Sequence, residues 1–132
     1  ASDLPRDTVV ALDEMGIGVE FSHHERGPSQ SEISLRYTDA MTMADYTMTY
    51  RLVVKEVAVR HKVYATFKPK PHAGHTGSGM HVHLSLFRGS TNVYYDGKKP
   101  YHLSDETRAF IAGLMRHAPE TMLVTNQWIK LV

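Results

Sequence analysis

Two glutamates, Glu25 and Glu32, flank Arg26-Gly27-Pro28-Ser29, a run with turn chemistry. If the segments on either side pair as a hairpin, the two carboxylates are brought together, and like charges held close need a cation between them. The plainer alternative is a pair of solvated hairpin glutamates. Further along, Met80-His81-Val82-His83-Leu84-Ser85-Leu86 alternates strictly. That pattern predicts a half-buried strand with Met80, Val82, Leu84 and Leu86 inward and His81, His83 and Ser85 on the other face. Histidines two apart on a strand face are about 7 Å from each other, too far to share one ordinary metal shell. They meet different parts of a ligand, or they are surface histidines after a tight turn. The preceding Gly74-His75-Thr76-Gly77-Ser78-Gly79 offers glycines where a backbone needs positive φ or a ligand approaches closely. It is not a Walker loop, since no Gly-Lys-Ser/Thr follows, and the dinucleotide fingerprint is absent.

The elements that must position these residues follow in chain order. Residues 3–15 read as a short amphipathic helix, with Pro5 in the first turn and Gly16 at the stop. Residues 17–24 turn extended, and Val19-Glu20-Phe21-Ser22 alternates. Residues 30–37 alternate again, with Glu32, Ser34 and Arg36 on one face and Ile33, Leu35 and Tyr37 on the other. Asp39 caps the longest helix, residues 40–61, whose predicted apolar stripe is Met43, Ala44, Thr47, Met48, Tyr50, Arg51, Val54, Val57 and Ala58. Its methionines read as core. Residues 63–67 are a short strand candidate. Arg88-Gly89-Ser90-Thr91-Asn92 makes a turn into Val93-Tyr94-Tyr95, and Asp96-Gly97 is a hairpin signal. Ser104 caps a last helix with Asp105 and Glu106 in its first turn, an apolar face at Phe110, Ile111, Leu114 and Met115, and a stop near Pro119. The tail to Val132, with the single Trp128, has no clear period.

A chain of 132 residues, 42% hydrophobic, suits one domain over residues 1–132, and such a domain buries roughly 68–70% of its unfolded surface. Fifteen Lys plus Arg balance 14 Asp plus Glu, for a net charge of +1. The charges are scattered, which argues against a nucleic-acid or acidic-membrane partner. Nine histidines and no cysteine exclude thiolate sites and disulfides, leaving carboxylates, histidines and water to hold any metal. No run is long and apolar enough for a membrane span, and Ala-Ser-Asp-Leu-Pro at the start lacks a signal-peptide core. The expected setting is soluble and cytoplasmic.

His23-His24-Glu25, Gln30-Ser31-Glu32, the Pro-Lys-Pro at Pro69 to Pro71, and Gly77-Ser78-Gly79-Met80-His81-Val82-His83 together resemble glutamine synthetase of the bacterial class I type. So do Ala44-Asp45, the run from Met48 to Ala58, Tyr64-Ala65-Thr66-Phe67, and Gly113-Leu114-Met115-Arg116-His117-Ala118-Pro119. The likeness covers roughly residues 4–128, in the family's order. It implies an α+β fold in which a curved antiparallel sheet carries the site and helices pack outside. It implies that Glu25 and Glu32 ligate a first divalent metal, Mg²⁺ or Mn²⁺. His81 binds a second metal beside the ATP phosphates and lies near the substrate. Glu20, Tyr37, His83 and Ser85 line the ATP site, and Gly77, with Thr76 beside it, lies in the glutamate pocket. The implied reaction is ATP-dependent ligation of ammonia to the glutamate side chain through a γ-glutamyl phosphate, in a homo-oligomer of two stacked hexameric rings. Phosphoryl transfer of that kind needs positioning and cations more than a covalent nucleophile.

Four departures from the family pattern matter. Thr76 stands where the family usually has Asn, Lys68 where it usually has an apolar residue, and Ile129-Lys130-Leu131-Val132 where it continues through an N-S-Y-K-R motif. The family's N-terminal β-grasp domain, with its further metal glutamates and ammonium-deprotonating aspartate, and its later arginines and glutamate flap are not in this sequence. The expectation is therefore a partial catalytic domain, weak or inactive by itself. Rival readings are a γ-glutamyl ligase for a polyamine or other amine, a non-catalytic metal-binding fragment of the fold, and an unrelated α+β domain.

Overall fold

The computed structural model describes residues 3–126, which fall into two units divided after Gly79. In the first, α1 (Asp3–Glu14) places Leu4, Thr8, Ala11 and Leu12 along one face. It ends in a Schellman motif, in which the Ile17 N–H reaches Leu12 O at 2.9 Å and the Gly16 N–H reaches Asp13 O at 2.9 Å. Gly16 takes φ +77° with nothing near its missing Cβ, so its requirement is conformational. The motif folds Ile17 back beside Leu12, and both are buried.

The chain then forms the expected hairpin, β1 (Val19–His24) antiparallel to β2 (Ser31–Leu35). Its turn has Pro28 at the second position and Ser29 at the third with φ 56°, closed by Gln30 N–H to Gly27 O at 3.1 Å. Those are the marks of a type II turn. Asp39 caps α2 (Ala40–Arg60), accepting the Thr42 N–H at 3.0 Å. The buried line of α2 is Val53, Val54, Val57 and Ala58, preceded by half-buried Tyr46 and Tyr50. The expected stripe shared Tyr50, Val54, Val57 and Ala58 with it. Met48, however, is 67% exposed and Met41 76%, because the helix turns toward α1 and the hairpin the face that carries Val53 and Val57. The core of this unit is Leu12, Ile17, Val53 and Val57, with Val19, Ile33 and Leu35 packed against it from the hairpin. Tyr37, expected on the face of Ile33 and Leu35, lies past the end of β2 and is exposed.

Residues 63–67 are not a strand. A second Schellman motif, with Lys62 at φ 57°, sends the chain back along α2, where the Phe67 ring meets Tyr50 edge-on at 5.7 Å and lies under the Arg51 guanidinium at 5.4 Å. Side chains of α2, not a neighbouring strand, are the partners here.

In the second unit, residues 80–86 form no strand, and their one backbone link among the described residues to the turn that follows is the Val93 N–H donating to Leu86 O at 2.7 Å. Met80, Val82, Leu84 and Leu86, expected inward, are exposed. Alternation makes a strand only where a neighbour supplies the ladder, and here pairing begins at β3 (Phe87–Arg88) with β4 (Thr91–Asn92). The turn between them holds Gly89 at φ 61°. The Asp96-Gly97 turn closes a small loop instead of a hairpin, bridged at Tyr95 and Leu103. Ser104 caps α3 (Asp105–Thr125) as expected, accepting the Thr107 N–H at 3.1 Å, while Thr107 Oγ1 donates to Tyr94 O at 2.6 Å. The expected apolar face is largely exposed at Leu114 and Met115. The helix does not stop at Pro119 but runs through it. Proline removes one donor, to Met115 O, and later residues resume the ladder, with Thr121 Oγ1 adding a bond to His117 O at 2.9 Å. The secondary structure is thus α+β, with two small antiparallel sheets in place of one curved sheet among the described residues. Trp128 and the tail after it lie outside those residues.

Replacing Leu12 by Ala should lower unfolding stability by about 2–5 kcal/mol, whereas Lys62→Gly should raise it by up to about 1 kcal/mol by relieving the left-handed residue. Urea denaturation of the two variants checks both signs.

Candidate metal centre

Strict alternation along β1 would put Val19, Phe21 and His23 on one face, and Val19 faces the core. The register shows otherwise. Val19 pairs with Leu35 but Phe21 pairs with Ser34, so Glu20 is an extra residue, a bulge. Beyond it the phase is reversed: Ser22 stands opposite Ile33 on the core side, and His23 stands opposite Glu32 on the other. The Arg36 side chain stabilises the bulge, its Nε–H donating to Val19 O at 3.2 Å.

The result is a group of three side chains, His23, Glu25 and Glu32, whose ligand atoms lie within 4.8 Å of one another. His23 Nε2 is 2.9 Å from Glu25 Oε1, the Arg26 N–H donates to Glu25 Oε2 at 3.3 Å, and Ser34 Oγ donates to Glu32 Oε1 at 3.2 Å. The hydrogen bond with His23, then that from the Arg26 amide, holds the Glu25 carboxyl below its usual 4.5. Tyr50, on α2, has its phenol pushed above 10.0, first by burial and then by the negative charge of Glu32. Two carboxylates with one imidazole fit a divalent cation, with Mn²⁺ accepting the nitrogen more readily than Mg²⁺.

The turn ties this group to the glycine-rich loop. Gln30 Oε1 accepts the Gly27 N–H at 3.0 Å, and Gln30 Nε2 donates to Gly77 O at 3.0 Å and lies 3.1 Å from Ser78 Oγ. A Cβ on Gly27 would meet Gln30 Oε1 at 2.7 Å and Thr76 Oγ1 at 3.2 Å, so Thr76 sits against the turn. A Cβ on Gly77 would meet Pro69 O at 2.7 Å, a backbone atom that cannot step aside. The Ser78 N–H donates to that same carbonyl at 2.7 Å, and Lys70 Nζ bonds His75 O.

Of the residues singled out in the sequence, Glu25 and Glu32 are therefore brought together, and the Thr76-Gly77 loop is hung on the same hairpin. Glu20 is the bulge residue and Tyr37 is exposed just past β2. His81, His83 and Ser85 stand in the second unit, exposed on the extended stretch ahead of β3. Sequence reasoning assigned no role to His23 or Gln30. A signal for His23 existed, since it precedes Glu25 by one strand period. None existed for Gln30, whose partners are 47 and 48 residues away.

The chain is an α+β protein whose hairpin gathers two glutamates and a histidine, a donor set that could hold a divalent cation. Comparison with known proteins makes this specific. The catalytic domain of glutamine synthetase matches residues 1–130, and the chain belongs to that family. It is 54% identical over 129 residues to a glutamine synthetase of Mycolicibacterium smegmatis, covering 98% of this chain and 29% of that one. A cryo-EM structure of Plasmodium falciparum glutamine synthetase superposes with a TM-score of 0.89 at 34% identity, over 95% of this chain and 24% of that chain. A structure of GmaS without ligand gives 0.86 at 35% identity, over 94% and 30%. The chain thus spans about 29% of the length of the curated relatives it matches. ATP and divalent-metal use are general to the family. Among the described residues no helix is long and apolar enough to cross a membrane.

The lowered Glu25 value means that folding favours the ionised carboxylate. That share of stability is present above 4.5 and is lost as pH falls through the lower folded value. In His23→Ala the Glu25 carboxyl should titrate nearer 4.5, as read by carboxyl carbon NMR. Identical titration in both proteins would remove His23 as the cause.

Proposed function

We propose that this chain carries part of the active site of a glutamate–ammonia ligase, in which ATP drives formation of glutamine. The observation that carries the reading is the bulged hairpin, which brings the ligand atoms of Glu25 and Glu32, with His23, within 4.8 Å of one another. The family resemblance assigns the two glutamates to a first divalent metal. The metal supplies charge that screens the attacking carboxylate from the phosphates. Glu25 and Glu32 would hold it, and His81 would serve a second ion. Glu20, Tyr37, His83 and Ser85 take the nucleotide. Thr76 and Gly77 line the amino-acid pocket, where the Gly77 backbone is fixed against Pro69 O. A glutamate side-chain oxygen attacks the γ-phosphorus and ADP leaves. Ammonia then attacks the acyl carbon, and phosphate departs as the nitrogen loses a proton. In this reading residues 1–132 are one portion of a single catalytic domain, in a cytoplasmic homo-oligomer that takes small-molecule substrates and neither nucleic acid nor membrane.

A second reading, ligation of a larger amine, is favoured by one observation. Thr76, in place of the family's usual Asn, has its hydroxyl beside Gly27 and presents a different side chain next to Gly77.

The test is ADP release from Mg·ATP or Mn·ATP with glutamate, comparing ammonia with a polyamine. Ammonia-dependent release should fall by at least about 100-fold in both Glu25→Ala and His81→Ala. Release that depends on the polyamine alone would favour the second reading, and release indifferent to both substitutions would overturn the assignment of these residues.

A further inference from the structure

Gln30 occupies a junction that the ligase chemistry does not require of it. Its backbone is fixed on two sides, since its carbonyl accepts the Glu25 N–H at 3.0 Å and its N–H donates to Gly27 O at 3.1 Å. Its side-chain amide has one orientation only. The Gly27 N–H is a donor and needs the oxygen, so the two hydrogens of Nε2 are directed to Gly77 O and Ser78 Oγ. The loop receiving them is itself closed by the Ser78 N–H to Pro69 O and by Lys70 to His75 O. A displacement of Glu25 therefore passes through one backbone hydrogen bond to Gln30, and through the Gln30 amide to the peptide at Gly77.

We propose that Gln30 is a positioning residue that couples cation binding at Glu25 and Glu32 to the order of the Thr76-Gly77-Ser78 loop, so that a loaded hairpin prepares the amino-acid pocket. This rests on the reading above, and it assigns to one neutral side chain the communication between two subsites. Gln30 acts through the Gly77 carbonyl.

The experiment is Mn²⁺ titration of the full chain, with affinity read by electron paramagnetic resonance and loop order by amide hydrogen exchange at residues 74–79. In the unsubstituted protein saturating Mn²⁺ should slow exchange there by about fivefold or more. Gln30→Met, which keeps the length but none of the three side-chain bonds, should bind Mn²⁺ within about threefold and lose the slowing. Gln30→Glu keeps an acceptor for the Gly27 N–H and removes only the donors, so the turn stays closed and the slowing should again vanish. Persistence of the slowing in both variants would overturn the proposal. Mn²⁺ affinity unchanged in Glu32→Ala would instead sink the metal reading of the hairpin. Affinity that depends on Glu32, with no slowing in the unsubstituted protein, would sink the coupling alone.

Discussion

The first unit depends on one backbone irregularity, the extra residue at Glu20. A regular two-stranded hairpin with this sequence would have to choose between burying Val19 with His23 and exposing both. The bulge removes the conflict. Before it, Val19 and Leu35 face Leu12 and Val57. After it, His23 and Glu25 face away with Glu32. Packing and ligand geometry are thereby assigned to opposite faces of the same few residues, and the Val19 carbonyl just before the bulge is satisfied by Arg36 instead of being left for water.

That division sets the electrostatics. The polar face is wet enough that Glu25 stays ionised beside His23, while Tyr50 sits on the dry side, close enough to Glu32 to feel its charge. A carboxylate cluster on the core side would pay the desolvation of two like charges. Here the acidic pair lies at the hairpin rim, where solvent and a cation can reach it.

Much of this was legible in the sequence because its determinants are local. Asp39 and Ser104 announce α2 and α3 through cap chemistry that involves neighbours three residues on. Gly16 and Pro28-Ser29 announce a helix end and a turn through their own dihedral needs. What was not legible depends on partners. Alternation at residues 80–86 describes a strand but supplies no neighbour for it. The bulge leaves the residue pattern of β1 intact and appears only in the pairing. Pro119 reads as a stop, yet one missing donor does not end a helix that has residues to continue with. Alternation and turn chemistry placed Glu25 and Glu32 on one hairpin, as the pairing shows, but neither they nor the family resemblance assigned a role to His23, which the register sets opposite Glu32.

The space beside Gly27 has a consequence for how this region tolerates change. Any side chain there meets Gln30 Oε1 at 2.7 Å, and the oxygen is held by the very amide that such a residue would displace. Substitutions at the two positions are therefore not independent. Truncating the glutamine removes the 2.7 Å contact and leaves the tight ones at 3.2 Å to Gln30 Cβ and Thr76 Oγ1, so a methyl group at residue 27 costs less in that background than in the native one. The pair forms an epistatic unit, in which the cost of both changes is smaller than the sum of the two taken singly.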